Sequence, residues 1–433
     1  MNYFGTDGIR NKLSFFSETF LRRIADAIVS LPECNTVAIG RDTRIGGIYM
    51  ESILTDELLK RGVDILKFGI LPSPALSCCM RLTNCDYAIM LSASHNPPEY
   101  NGVKLFEKSG KKLSEENRLL IEERIQHPVI LPQKNGTSRI CDGRTLYLTH
   151  VKETFGHSLS GLNVLLDCAC GAASFFAKDI FLAFGAKVKT CFESYCGKKI
   201  NVNNGAAHPE TLRKMCSDNY DIGFSFDGDA DRVIACVDGK IYNGDHIMYV
   251  ASKYLKSINK LHKNTVVGTI MANSGVEKAY LNSHINFIRT DVGDSNIYKE
   301  MEKHNYSIGG EESGHIIFPE HLKTGDGVLT ALITGNIHKR YNLPSCDDIK
   351  DVPSFSDCIA ADSAAKEHFR TDPRINDLIS SIDNVRIVAR PSGTEPKIRL
   401  TCESENPEEA LKILTILKSN IKEIINDNKQ NNP

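Results

Sequence analysis

The sequence has no Cys-x-x-Cys pair, no long apolar run and no excess of charge of one sign. Its 14 cysteines are scattered. Cys78–Cys79 and Cys168-x-Cys170 are spaced too tightly for a disulfide ladder or a zinc site, so reduced thiols are expected. No stretch approaches the ~20 apolar residues of a membrane span. The N-terminus lacks the basic and apolar regions of a signal peptide. A soluble cytoplasmic protein with no membrane partner is therefore expected. Lys and Arg total 52 against 54 Asp and Glu, a formal net charge of −2. Without a basic face, nucleic acid is not an expected partner. There is also no Walker loop and no Gly-x-Ser-x-Gly elbow, which argues against ordinary nucleotide hydrolysis and a serine hydrolase.

What is present is an ordinary globular mix of 433 residues, 41% hydrophobic and 24% charged, enough for two to four domains. Short apolar runs recur, each followed by a polar or glycine-containing loop. They are Thr36–Ile39, Tyr87–Leu91, Asn163–Leu166, Ile222–Phe226, Thr265–Val267 and Asn286–Ile288. Segments with helical spacing lie between them, such as Phe16–Leu31 and Met50–Arg61. Strands alternating with helices predict α/β units with a parallel sheet, and ligands at loops beyond the carboxyl ends of the strands. The stretch His127–Gly143 reads as a connector, with weaker breaks near Asp245–Lys260 and Pro353–Thr371. The C-terminal piece reads as α+β. Its strands are Val385–Val388 and Ile398–Cys402, and a helix follows with Asn406 as N-cap and Pro407 at its first position. Leu411, Leu414, Leu417, Ile421 and Ile424 are its expected apolar face.

Four loops carry candidate chemistry. Asp227-Gly228-Asp229-Ala230-Asp231-Arg232 follows the run Ile222–Phe226. Three alternate carboxylates converge on one cation if the loop folds around it, and oxygen-only ligands suit Mg²⁺ or Ca²⁺. It is not an EF-hand, because Arg232 stands where the turn glycine belongs and Asp238 where a bidentate Glu belongs. Ser92-Ala93-Ser94-His95-Asn96-Pro97 follows Tyr87–Leu91 and alone reads as a polar turn, with Lys104 as a cation nearby. Gly309-Gly310-Glu311-Glu312-Ser313-Gly314-His315 lets backbone approach a ligand. Glu311 and Ser313 suit sugar hydroxyls, and His315 suits proton transfer. Read by itself, that loop is equally a structural turn. Arg390-Pro391-Ser392-Gly393-Thr394-Glu395-Pro396 combines a guanidinium, hydroxyls and glycine N–H into a phosphate nest.

In this order the four motifs resemble the α-D-phosphohexomutase superfamily, from Tyr3 to about Cys402. Three further stretches are similar to its branch acting on glucosamine phosphates: Tyr3-Phe4-Gly5-Thr6-Asp7-Gly8-Ile9-Arg10, Thr290-Asp291-Val292-Gly293-Asp294 and Thr324-Gly325-Asp326-Gly327-Val328-Leu329-Thr330-Ala331. The resemblance implies an α/β fold of four domains around a central cleft. Three α/β domains with mixed sheets would span 1–145, 146–248 and 249–356, and a C-terminal α+β domain 357–433. It implies that Ser94 is the phosphoserine that carries phosphate. Asp227, Asp229, Asp231 and Ser94 would hold one Mg²⁺. Arg10, His95, Lys104, Arg232 and His315 would stabilise charge or move protons. Glu311 and Ser313 would choose the sugar, while Arg390, Ser392, Gly393, Thr394 and Arg399 would grip the unreacting phosphate. The implied reaction interconverts glucosamine 6-phosphate and glucosamine 1-phosphate through a sugar bisphosphate, which is also the activator. It would feed UDP-N-acetylglucosamine and cell-wall precursor synthesis. The resemblance leaves a homodimer open. Cys170, Ser295 and Asn11 depart from the superfamily's usual Asn, Arg and Gly.

Two rivals come from other chemistries. An aspartyl phosphatase would use Asp227-x-Asp229, but it wants Thr or Val where Asp231 stands and leaves the serine loop unexplained. A sugar-phosphate-binding protein without turnover would be expected to have lost Ser94 or an aspartate. Within the superfamily, mannose or glucose phosphates are the alternative substrates.

Overall fold

The computed structural model describes residues 3–431 except 6, 130, 217, 218 and 393–395. The chain forms two compact units, Met1–Thr269 with Thr290–Asp347, and Ile270–Arg289 with Asp348–Pro433.

The first unit is built on buried strands whose carboxyl ends carry polar loops. Its six-stranded sheet runs in the order Ile9–Lys12, Tyr100–Glu107, Tyr87–Leu91, Thr36–Arg41, Asp64–Ile70, Ser138–Ile140. Thr36–Arg41 lies parallel to both of its neighbours, whereas Tyr100–Glu107 is antiparallel to both of its own. Helix Glu18–Val29 packs on this sheet. Ser17 caps it, accepting from Phe20 N at 3.3 Å. Its buried residues Leu21, Ile24, Ala25 and Ile28 follow the 3.6-residue period and join Val37, Ile39, Ile89, Leu91 and Val103 in one core. Each such large side chain contributes roughly 1.5–3 kcal/mol by leaving water.

A five-stranded sheet follows, in the order Lys240–Tyr242, Val233–Val237, Ile222–Phe226, Asn163–Asp167, Lys187–Cys191. The last three strands are parallel, and Val233–Val237 returns antiparallel after the aspartate loop. Thr265–Thr269 pairs parallel with Gly309–Gly310, which pairs antiparallel with Ile316–Ile317. In the second unit, Lys397–Glu403 lies between Ser354–Ala360 and Arg386–Pro391, all antiparallel. Asn406 caps the closing helix Pro407–Asn431, accepting from Glu408 N at 3.1 Å. Among the described residues, no helix is long and apolar enough to cross a membrane.

Four expectations change. The end of the His127–Gly143 connector is the edge strand Ser138–Ile140, paired with Asp64–Ile70; all three residues are exposed, so no apolar run marks them. Asp245–Lys260 lies mostly within helix Gly244–Ser257. Every residue from Gly244 to Ser252 is buried, which erases the one-sided stripe that periodicity needs. Pro353–Thr371 contains strand Ser354–Ala360 and helix Ser363–Thr371, whose buried residues are only Ala365 and Phe369. Leu411 is 50% exposed, so the apolar face of the last helix runs instead through Ala410, Leu414, Leu417, Ile421 and Ile425.

Candidate active site

Two strand ends of the first unit bring the serine and aspartate loops together. Beyond Tyr87–Leu91, Ser94 takes a φ of +50° and is 1% exposed. Its hydroxyl donates to Asp227 Oδ2 at 2.7 Å. Beyond Ile222–Phe226, a turn with Ala230 at φ +54° gathers Asp227, Asp229 and Asp231. A ligand oxygen from each lies within 4.8 Å of the others. The two loops touch through Gly228, where a side-chain carbon would come 2.5 Å from Ser94 O. Any larger residue there would push the loops apart.

These carboxylates suit a hard divalent cation. All three residues are buried, and Oδ1 of Asp229 and of Asp231 has no hydrogen-bond partner within the protein. Burial, with the nearby charges of Asp231 and Asp229, pushes the Asp227 carboxyl up to about 8. Three buried carboxylates gathered at one point, two of them with an oxygen that has no protein partner, are a donor set that Mg²⁺ suits.

Cations surround the cluster. Lys104 Nζ lies 2.6 Å from Asp229 Oδ2, 3.1 Å from Asp231 Oδ2 and 2.9 Å from Asp7 Oδ2. Burial disfavours the Lys104 charge, but Asp229 and Asp231 outweigh it and raise its pKa. His315 has Nδ1 3.7 Å from Asp231 Oδ2 and Nε2 3.3 Å from Asp294 Oδ2. Burial again opposes the charge, yet the two aspartates lift the imidazole to about 9. Lys112 pairs with Asp7 and Asp294, and Arg10 pairs with Asp7. Arg232 Nε lies 3.9 Å from Asp231 Oδ1. Desolvation together with Arg232 and Arg10 holds His95 far below the ordinary histidine range, so this ring is neutral. Its Nδ1 is 3.5 Å from Ser94 Oγ.

A cavity of about 290 Å³ opens beside these groups, lined by His95, Ala206, Ala207, Asp227, Arg232, Ile234, Glu312 and Ser313. Glu311 braces its rim. Its Oε1 accepts from Gly293 N at 3.0 Å and its Oε2 from the Ser313 hydroxyl at 3.4 Å. Gly314, at φ +89°, turns the chain back so that Glu311 N donates to His315 O.

In the second unit, Arg390 and Arg399 stand directly opposite each other on neighbouring antiparallel strands. Ser392 is buried, its N–H donates to Lys397 O at 2.8 Å, and its carbonyl accepts from Lys366 Nζ at 2.6 Å. Thr6, Gly393 and Thr394 lie outside the described residues.

The first unit thus brings Ser94, His95, Lys104, Asp227, Asp229, Asp231, Arg10, Arg232 and His315 into one cluster. Sequence reasoning did not single out Asp7, Lys112 and Asp294, which close the ring of charges. It also missed Ser73, whose N–H donates to Asp229 O at 2.9 Å and whose hydroxyl donates to Asp229 Oδ2. Asp7 and Asp294 did stand inside quoted motifs, which was the one signal for them.

Models of the phosphoglucomutase/phosphomannomutase family match along the chain. Alpha/beta/alpha domains I, II and III fall at residues 1–128, 145–240 and 243–354, and the C-terminal domain at 363–415. The chain is 38% identical over 425 residues to a phosphoglucosamine mutase of Thermoanaerobacter sp. (strain X514), covering 93% of this chain and 95% of that protein. It is 37% identical over 424 residues to a phosphoglucosamine mutase of Thermotoga sp. (strain RQ2), covering 96% and 98%. In fold it is similar to a phosphoglucomutase/phosphomannomutase family protein from Burkholderia thailandensis, with TM-score 0.82, 21% identity and coverage of 98% and 97%. The crystal structure of Aspergillus fumigatus N-acetylphosphoglucosamine mutase in complex with GlcNAc-6P and magnesium superimposes with TM-score 0.68 at 16% identity, covering 98% and 96%.

Proposed function

We propose that this chain, which belongs to the phosphoglucomutase/phosphomannomutase family, interconverts glucosamine 6-phosphate and glucosamine 1-phosphate through a phosphoserine at Ser94. The observation that carries this reading is the 2.7 Å contact between Ser94 Oγ and Asp227 Oδ2, inside a buried group of three aspartates. The choice of glucosamine rests on the phosphoglucosamine mutases it resembles over nearly its whole length.

Charge supports the phosphoserine. Asp7, Asp229, Asp231 and Asp294 are paired with Arg10, Lys104, Lys112, Arg232 and His315. A phosphoserine adds roughly −1.5 to −2, which a single divalent cation offsets. Asp227, Asp229 and Asp231 would hold Mg²⁺, which when bound neutralises charge on the transferring phosphoryl group.

The protein's own groups do the rest. The Ser94 Oγ–P bond breaks as a sugar oxygen, O1 or O6, bonds to the same phosphorus. The sugar hydroxyl gives up its proton as its oxygen bonds to phosphorus, and Ser94 Oγ takes up a proton as it leaves, so a sugar O–H is exchanged for the serine O–H. His95, neutral and 3.5 Å from Ser94 Oγ, is placed to move a proton at that atom. Arg10, Lys104 and Arg232 stabilise charge on the phosphoryl oxygens, and Glu311 and Ser313 hold sugar hydroxyls. The unreacting phosphate is gripped by Arg390, Ser392 and Arg399, with 393 and 394 supplying the rest of that loop. The bisphosphate turns end for end and returns its other phosphate to Ser94. The sugar bisphosphate intermediate is also the activator.

Ser94→Ala should abolish interconversion of the two glucosamine phosphates while circular dichroism remains that of the parent. Retained turnover would overturn the reading. Faster turnover of mannose or glucose 6-phosphate than of glucosamine 6-phosphate would keep the mechanism and change the substrate.

A further inference from the structure

We propose that Arg44 is a positioning residue for phosphoryl transfer, its guanidinium fixing the backbone of the serine loop so that Ser94 Oγ faces Asp227. The proposal rests on the phosphoserine reading and adds to it a residue that does not line the cavity.

A guanidinium has five N–H donors in a rigid planar fork, and Arg44 uses all of them. Nε donates to Asp42 Oδ2 at 3.0 Å. Nη1 donates to Pro97 O at 2.6 Å and Tyr100 O at 3.0 Å. Nη2 donates to Ser94 O at 2.6 Å and Asn96 O at 2.7 Å. The side chain is 0% exposed, and that of Asp42 1%. Three carbonyls of the segment between strands Tyr87–Leu91 and Tyr100–Glu107, with that of Tyr100 at the start of the second strand, therefore point at one cation. Without it these carbonyl dipoles would lose the one cation that holds them together.

Asp42 is the anchor of this clamp. Its Oδ1 accepts from Arg44 N at 2.9 Å, and its Oδ2 also accepts from the Ser92 hydroxyl at 2.7 Å. Ser92 Oγ in turn accepts from Ser94 N at 2.8 Å. Ser94 is thus gripped at both its N–H and its C=O. That grip matters because its φ of +50° is a conformation that L-residues other than Asn, Asp and Gly avoid, at roughly 1–2 kcal/mol. Asn201, on the loop after Gly197–Lys199, adds Nδ2 contacts to Ser94 O at 2.8 Å and Asn96 O at 3.1 Å. Released from these bonds, Ser94 relaxes toward negative φ, and its Cα–Cβ bond swings away from Asp227. A displacement of about 1 Å at a reacting atom costs on the order of 10²-fold in rate.

The test uses Arg44→Lys and Asn201→Ala in the full-length enzyme. Lysine keeps the charge but supplies three donors without the planar fork, and alanine removes only the two amide contacts. Positioning predicts that kcat falls by about 10²-fold in Arg44→Lys and about tenfold in Asn201→Ala. KM for glucosamine 6-phosphate should stay at the parent value in both, because neither residue lines the cavity. Rates are taken per folded molecule, by circular dichroism and active fraction, so a loss of stability alone leaves kcat unmoved. If Arg44→Lys does not fold, Asn201→Ala carries the test. Parental kcat in the folded variants, or a rise in KM with kcat unchanged, overturns the proposal. Ser94→Ala separates the two readings. If it is inactive while the positioning variants are normal, only the clamp fails; if it is active, the phosphoserine fails first.

Discussion

Lys104 Nζ sits 2.6 Å from Asp229 Oδ2, so the ammonium shares carboxylate oxygens with the metal-binding group of this site. Its contacts with Asp231 and Asp7 make it a counter-charge for three acids at once. Lys104→Met should therefore change two quantities in opposite senses. Turnover should fall by roughly 10²-fold, the usual effect of removing a group that stabilises transferring charge or moves a proton. Mg²⁺ affinity should rise, because the carboxylates lose a competing cation. Calorimetric titration and steady-state kinetics measure the two, and a parallel fall in both would show that Lys104 acts only by keeping the cluster folded.

Asp229 has one oxygen satisfied by Ser73 and Lys104 and the other without a protein partner. Asp229→Asn removes a charge but keeps the shape. Ligands that bind only the folded state stabilise it, by about 2.7 kcal/mol at a hundred times Kd. The parent should accordingly melt at a higher temperature with Mg²⁺ than with chelator, and Asp229→Asn should show little or none of that shift. An equal Mg²⁺-dependent shift in the variant would place the cation elsewhere.

How far the sequence alone revealed this site depended on what each group bonds. Strands buried on both faces, such as Tyr87–Leu91, read as unbroken apolar runs, and the polar loop that follows is visible in one dimension. Arg44 is not visible in this way. Its partners are mostly backbone carbonyls, which every residue has, so nothing nearby in the sequence marks it. Lys112 meets Asp7 and Asp294 only once the chain has folded. In the last helix Leu414, Leu417 and Ile421 lie on the expected apolar face, but Leu411 looks like core and is half exposed, while the small Ala410 is fully buried. Size and polarity do not distinguish those two roles; only packing against Lys397–Glu403 and Ser354–Ala360 does.

Asp326 gives the site's surroundings a pH dependence. It caps helix Gly327–Tyr341 through Leu329 N at 3.0 Å and accepts from the Tyr147 hydroxyl at 2.8 Å. Burial raises its carboxyl from 3.8 to about 6. A carboxyl that holds its proton more tightly when folded favours the fold most below the unfolded value of 3.8. The benefit fades as pH rises through 6, where the buried charge costs about 3 kcal/mol. Asp326→Asn keeps a good capping residue and cannot ionise. Its stability relative to the parent should grow by roughly 1.4 kcal/mol between pH 5 and pH 8, read from urea midpoints. A constant difference across that range would mean that Asp326 stays ionised throughout.

Arg399 and Arg390 face each other across one strand pair of the second unit. Like charges directly opposite on a sheet repel, by roughly 0.2–1 kcal/mol. Each guanidinium presents a fork that matches phosphate oxygens. Arg399→Gln should then raise KM for glucosamine 6-phosphate at least tenfold, as expected for loss of a charge-assisted hydrogen bond of about 1.5–3 kcal/mol. Stability should change little. Denaturant midpoints and initial rates on the same preparation distinguish the cases. A lower midpoint with an unchanged KM would make the pair a structural feature of the three-stranded sheet and move the phosphate grip to Ser392 and the residues after it.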